Sequence, residues 1–100
     1  MLNIVNTIED GIARCALEGR LDTVTAADLE RELKGTMDEA AELVLEMDKL
    51  DYISSAGLRV LLAAQKFMTA KEGKMKLTGV SDIIMEIFDT TGFSDILTIE

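Results

Sequence analysis

The stretch from Glu42 to Lys71 constrains the fold most, because it passes from an apolar strand through a turn of small residues into an apolar helix. Leu43, Val44 and Leu45 run consecutively over a predicted strand Glu42–Asp48, the pattern of a strand covered on both faces by helices. Lys49-Leu50-Asp51-Tyr52 then leads into Ile53-Ser54-Ser55-Ala56-Gly57. From Ser55 a helix is expected to about Lys71. Leu58, Val60, Leu61, Leu62, Ala64, Phe67 and Met68 make it apolar around most of its circumference near its start, so it must lie against the sheet. A strand feeding such a helix is half of a βαβ unit, and its return strand should be parallel.

The rest of the chain supplies the partners. Leu2 to Glu9 reads as a strand with apolar Leu2, Ile4 and Ile8, and Asp10-Gly11 is a hairpin turn signal. Ile12 to Gly19 is the returning strand, in which Cys15 is a small buried hydrophobe. Thr23 or Thr25 is expected to cap a helix to about Met37, where Ala26, Leu29, Leu33 and Met37 share one face. Gly73 ends the next helix, and Lys74 to Thr78 forms a strand with Met75 and Leu77 inward. Ser81 and Asp82 suit the first turn of a third helix, with Val80, Ile83, Ile84, Ile87 and Phe88 on one stripe. Phe93 and Ile96 should fold back on the core, and Leu97–Ile99 adds a short strand or a frayed end. Met68, Met75 and Met85 read as core filling.

The expectation is therefore one α/β domain over residues 1–100. Its sheet is mainly parallel and four- to five-stranded, with an N-terminal hairpin and helices packed on it. Ligands and partners of such sheets meet the carboxyl ends of the strands. The Ser54-Ser55 turn lies at such an end.

Composition closes most other routes. Ten basic against nineteen acidic residues give a net charge of −9, which repels nucleic acid and anionic membranes. No apolar run could span a bilayer and no signal peptide opens the chain, so the expected address is the cytoplasm. With no histidine and one cysteine there is no Ser-His-Asp triad and no zinc or iron–sulfur ligand set, and no Gly-x-Gly-x-x-Gly or Walker-type glycine–lysine loop occurs in the sequence. A non-enzymatic binding module without cofactor or metal is expected, and a monomer.

Its working surface should be the serine turn. Small residues let another chain approach the backbone closely. Ser55 reads as the helix cap, and the positive end of the helix dipole favours an anion there. Ser54, Ala56, Gly57, Leu58 and Arg59 are expected partner contacts, with Tyr52 at the interface edge and Asp22 and Thr23 in a loop at the same edge of the sheet.

Leu17-Glu18-Gly19-Arg20-Leu21-Asp22, Leu43-Val44-Leu45-Glu46-Met47-Asp48, Ile53-Ser54-Ser55-Ala56-Gly57-Leu58 and Lys76-Leu77-Thr78-Gly79, in that order and spacing, resemble the STAS family of sulfate-transporter and anti-sigma-factor-antagonist domains. The resemblance covers essentially the whole chain, and stand-alone members of this size resemble bacterial anti-anti-sigma factors. It implies a partner that is both anti-sigma factor and serine kinase, bound in the unphosphorylated state to release a sigma factor. It further implies phosphorylation at the start of the second helix that breaks the complex, and a serine phosphatase that restores it. The family's usual turn reads Asp-Ser-Ser-Gly-Leu or Asp-Ser-Thr-Gly-Leu. Aligned on Gly57-Leu58, the phosphoacceptor is Ser55, with Ser54 the lesser candidate. Ser54 stands where the family has its acid, and Ala56 where it has a second hydroxyl. The alternative is a domain of the same fold that binds a small ligand, a nucleotide or a lipid, or serves as a scaffold without phosphoregulation.

Overall fold

The Asp10-Gly11 turn decides where the sheet begins. In the computed structural model, which describes residues 1–100, both residues take positive φ, 55° and 79°. That is the turn whose twist matches two right-twisted strands, and glycine adopts it without penalty. β1 (Leu2–Glu9) therefore folds back antiparallel on β2 (Ile12–Leu21), with Leu2 opposite Gly19 and Glu9 opposite Ile12. α1 (Thr23–Glu39) leads to β3 (Glu42–Ile53), and α2 (Ser55–Ala70) leads to β4 (Lys74–Thr78). β3 runs parallel to both β2 and β4, giving a four-stranded mixed sheet in the order β1-β2-β3-β4. α3 (Asp82–Thr91) and a 3-10 turn (Phe93–Asp95) follow. The predicted fifth strand reduces to one parallel bridge between Leu77 and Ile99.

Each crossover moves the chain one strand further in the same direction. Right-handed connections of that kind put their helices on one face of the sheet. Leu29 and Leu33 of α1, Leu61 and Met68 of α2, and Ile84 and Phe88 of α3 meet Cys15, Leu17, Leu43, Leu45 and Leu77 in a single core cluster. Val44 is buried but stands outside that cluster. It points to the other face, in register with Arg14 and Lys76. The expected burial of β3 under helices on both faces is thus corrected: its opposite face carries side chains such as Arg14 and Glu46, and Val5 in β1 is 54% exposed there.

Both central strands run further than the sequence suggested. β2 continues past Gly19 to Leu21, and β3 past Asp48 to Ile53. Register shifts between Ala16 and Glu18 and between Gly19 and Arg20 absorb the broken alternation. Lys49 and Asp51 therefore lie in a strand while Leu50 and Ile53 stay buried. β4 stops at Thr78 opposite Glu46, so the end of β3 pairs with β2 alone.

Two apolar assignments change. On α3 the buried residues are Ile84 and Phe88, while Ile83 is exposed, because a neighbour one residue away points about 100° around the helix. Ile96 is also exposed; Leu97 occupies the core in its place, and Phe93 packs against it. Met68 and Met75 fill the core. At the far end from the serine turn, Lys71 Nζ donates to the carbonyls of Met37 (2.5 Å), Ala40 (2.8 Å) and Asp38 (3.3 Å), closing the C-terminus of α1.

Candidate functional site

β2 and β3 end side by side, Leu21 opposite Ile53. The next residue in each strand, Asp22 and Ser54, starts a helix, so two helix N-termini lie together at one end of the sheet. The Ser54 N–H donates to the Leu21 carbonyl at 2.9 Å and ties the two turns together.

Ser54, not Ser55, caps α2. Its backbone is extended (φ −94°, ψ 173°), and its Oγ accepts from the Gly57 N–H at 3.2 Å. A cap must hold non-helical angles to aim its side chain at the first turn. Ser55 is already the first helical residue, which corrects the expectation that it caps. Its side chain is exposed and takes part in none of the hydrogen bonds of the turn. The Gly57 amide goes to Ser54 Oγ and the Leu58 amide to the Ser54 carbonyl. The amides of Ser55 and Ala56 are left without an intrahelical acceptor. No acidic residue occupies the first turn, so nothing in it opposes an anion.

Asp22 caps α1, correcting the choice of Thr23 or Thr25. Its Oδ1 accepts from the amides of Val24 (3.1 Å) and Thr25 (3.0 Å), while Thr25 Oγ1 accepts from the Asp22 amide (2.9 Å) and donates to the Arg20 carbonyl (2.8 Å). This is a reciprocal capping box with threonine in the place glutamate usually takes. Hydrogen bonds from Thr25 and then Val24 hold the Asp22 carboxyl below its ordinary pKa, against a smaller opposing effect of desolvation. Thr23 is exposed.

The remaining predicted contacts divide by burial. Gly57 and Leu58 are buried, so they shape the turn from beneath. A Cβ on Gly57 would sit 2.7 Å from Leu21 Cγ and 3.0 Å from Ile53 Cγ1. Ala56 is half-buried and Arg59 is exposed. Tyr52 is 38% exposed, and the Arg20 guanidinium lies 4.3 Å from its ring centroid, a cation–π contact across the two strands. Sequence reasoning missed Arg20, because only the β2–β3 register, Arg20 opposite Tyr52, brings it here. It also missed Val24, 78% exposed in the first turn of α1; an apolar residue just after a cap is the signal that could have found it. Thr23, Val24, Ser55, Ala56 and Arg59, with the Arg20–Tyr52 pair, form a surface of mixed character around the exposed Ser55 hydroxyl.

Further along the two helices, a groove of about 420 Å³ lies between α1 and α2. Leu33, Met37, Val60, Ala64 and Phe67 line it, with Glu30 and Lys34 at its rim. Cys15 lies in the core, away from the turn. Burial first, then the charges of Glu32 and Glu46, push its thiol up to about 12, which leaves it unreactive. No helix is long and apolar enough to cross a membrane.

The STAS domain profile matches residues 3–100. A Bordetella bronchiseptica protein named as the anti-sigma factor antagonist BtrV is 35% identical over 91 residues, covering 90% of this chain and 78% of the relative. The structure of an anti-sigma factor antagonist from Mycobacterium paratuberculosis superposes with a TM-score of 0.89 at 21% identity, covering 99% of this chain and 85% of that one. SpoIIAA, an anti-sigma factor antagonist solved unphosphorylated and phosphorylated, gives TM-scores of 0.83 and 0.77 at 14% identity, over 100% of this chain and 88% and 91% of those chains. At those identities the structures speak for the fold.

Proposed function

Because this chain belongs to the STAS domain family, we propose that it is a cytoplasmic anti-sigma factor antagonist that works by binding and not by turnover. In this reading it docks on an anti-sigma factor with serine kinase activity and so frees a sigma factor. Phosphorylation of Ser55 ends the contact, and a serine phosphatase restores it. The observation that carries the reading is the Ser55 hydroxyl, exposed and unengaged at the first helical position while its neighbour Ser54 does the capping.

That division of labour lets the turn accept a phosphate without refolding. A phosphoserine brings about −1.5 to −2 charges at pH 7. On Ser55 it would meet the amides of Ser55 and Ala56 and the positive end of the α2 dipole. Ser54 keeps the cap throughout, and lacks the negative charge of an acid in the same place. The cost of the dianion then falls on the visiting protein, whose surface must desolvate it. Like-charge contact in such an interface costs several kcal/mol, and about 3 kcal/mol weakens binding roughly a hundredfold. Thr23, Tyr52, Ala56 and Arg59 are the surface contacts in this reading; Asp22, Ser54, Gly57 and Leu58 hold the turn in shape.

The test is incubation with the cognate anti-sigma kinase and ATP, read by intact mass and peptide mapping, with affinities measured by calorimetry. A single phosphate on Ser55, with Ser55→Ala binding as wild type and Ser55→Asp binding at least tenfold more weakly, is the expected result. Phosphate on Ser54 alone, or equal affinity of the two variants, would sink the reading. The apolar groove between α1 and α2 favours one second reading, a lipid-binding module. An acyl chain retained on purification, with no phosphorylation at either serine, would select it.

A further inference from the structure

The outer edge of the sheet is built to pair, and we infer that β1 joins two copies of this chain, antiparallel, around a two-fold axis at Val5. Met1 accepts from the Arg20 amide, and the register places Leu2 opposite Gly19 and Val5 opposite Ala16. In an antiparallel ladder the residues that exchange hydrogen bonds alternate. Asn3, Val5, Thr7 and Glu9 therefore turn their backbone groups toward β2. Leu2, Ile4, Asn6 and Ile8 turn theirs outward, at the edge of the sheet.

Edge strands in soluble proteins are normally blunted by lysine, proline, a bulge or a covering segment. β1 has no lysine or proline, and its pairing with β2 runs without a register shift, in contrast to β2 with β3. The Asn6 side chain is drawn inward to Thr36 (3.0 Å) and Glu32 (3.3 Å) on α1 and does not fold across the edge. Only Glu9 in the strand is charged, and Val5 and Ile8 are 54% and 44% exposed.

The occupant is a second copy because the strand is complementary to itself. A two-fold axis normal to the sheet keeps each side chain on its own face, so residues of like parity must pair. Centred on Val5, Leu2 pairs with Ile8 and Ile4 with Asn6, and all of these carry outward backbone groups. Val5 then faces Val5 of the partner at a close non-hydrogen-bonded position, and Asn3 faces Thr7. Glu9 falls opposite Met1, so the like charges of the two strands stay apart. The axis reverses strand direction, so the two Ser54-Ser55 turns lie at opposite ends of the joined sheet and both remain open.

The proposal is tested on the full chain by sedimentation and by residue-resolved hydrogen exchange against concentration. A particle of twice the 10.9 kDa chain mass is expected. The amides of Ile4, Asn6 and Ile8 should become at least tenfold more protected as it forms, while those of Val5 and Thr7 are protected at every concentration. Val5→Lys, which sets two cations face to face on an exposed position, and Ile8→Pro, which deletes an outward donor without touching the β1–β2 ladder, should each weaken association at least tenfold. Val5→Thr should leave it unchanged. A monomer up to about 1 mM, the weak limit of specific association, would overturn the proposal. So would a dimer whose concentration-dependent protection lies outside β1.

Discussion

The Ser54 amide donates to the Leu21 carbonyl at 2.9 Å, and this one bond fixes the start of α2 against the end of β2. Leu21 also lies directly under Gly57, so the chain enters α2 over a neighbouring strand with no room to spare. The position of Ser55 follows from those two contacts.

Gly57→Ala should destabilise the fold. Alanine in a helix normally gains about 1 kcal/mol over glycine. Here its Cβ would meet Leu21 Cγ at 2.7 Å, and overpacking of that kind costs about 1–3 kcal/mol. A lowered urea midpoint is expected. In the double variant with Leu21→Ala the two losses should add to less than their sum, because the smaller side chain removes the clash.

The two serines should separate cleanly in stability. Ser54→Ala removes the acceptor of the Gly57 amide and should cost about 1 kcal/mol. Ser55→Ala removes no hydrogen bond and places a better helix former at an exposed position, so it should be neutral or slightly stabilising. Chemical denaturation of both variants checks the cap; an equal loss would reassign it.

Asp22 predicts acid sensitivity of the site. Its carboxyl is held below its ordinary value by the Thr25 and Val24 hydrogen bonds. Its contribution is therefore fully present above the unfolded value of about 3.9. It is lost as pH falls through the lower folded value. Asp22→Asn keeps a capping oxygen without the charge, so the stability difference between wild type and variant should shrink below about pH 4. Denaturation midpoints between neutral and acid pH measure it.

Cys15 reports opening of the core. With its thiol pushed up to about 12, the native thiolate at neutral pH is about three-thousandfold scarcer than at an ordinary cysteine near 8.5. Labelling by a thiol reagent should be at least that much slower in the native protein than in urea, and should accelerate with denaturant. The raised value also means that stability begins to fall as pH rises above about 8.5. Rapid native labelling would place the residue nearer the surface.

Lys71 should act well beyond its own helix. Its ammonium reaches three carbonyls at the end of α1, and removing it leaves them without their donor. Lys71→Met should cost about 1–3 kcal/mol and raise amide exchange in the last turn of α1 selectively.

Local chemistry was legible from the residues alone. The Asp10-Gly11 hairpin, the strand beginning at Glu42, the strand Lys74–Thr78 and the helix beginning at Ser55 each rest on spacing within a few residues, and each lies where expected. Four stretches, Leu17–Asp22, Leu43–Asp48, Ile53–Leu58 and Lys76–Gly79, also resemble the family that the chain belongs to. What adjacency in space decides was not legible. Whether Ser54 or Ser55 caps depends on where the extended backbone of β3 ends, and the Leu21 carbonyl of another strand helps to set that point. Asp22 outcompetes its threonine neighbours because its backbone is the last extended one before α1. Val44 looks like its neighbours in sequence, yet the common hand of the crossovers leaves its face without a helix. Arg20 meets Tyr52 through a shifted register between parallel strands. Periodicity in a chain encodes which side of an element is apolar; only the assembled sheet determines what each side faces.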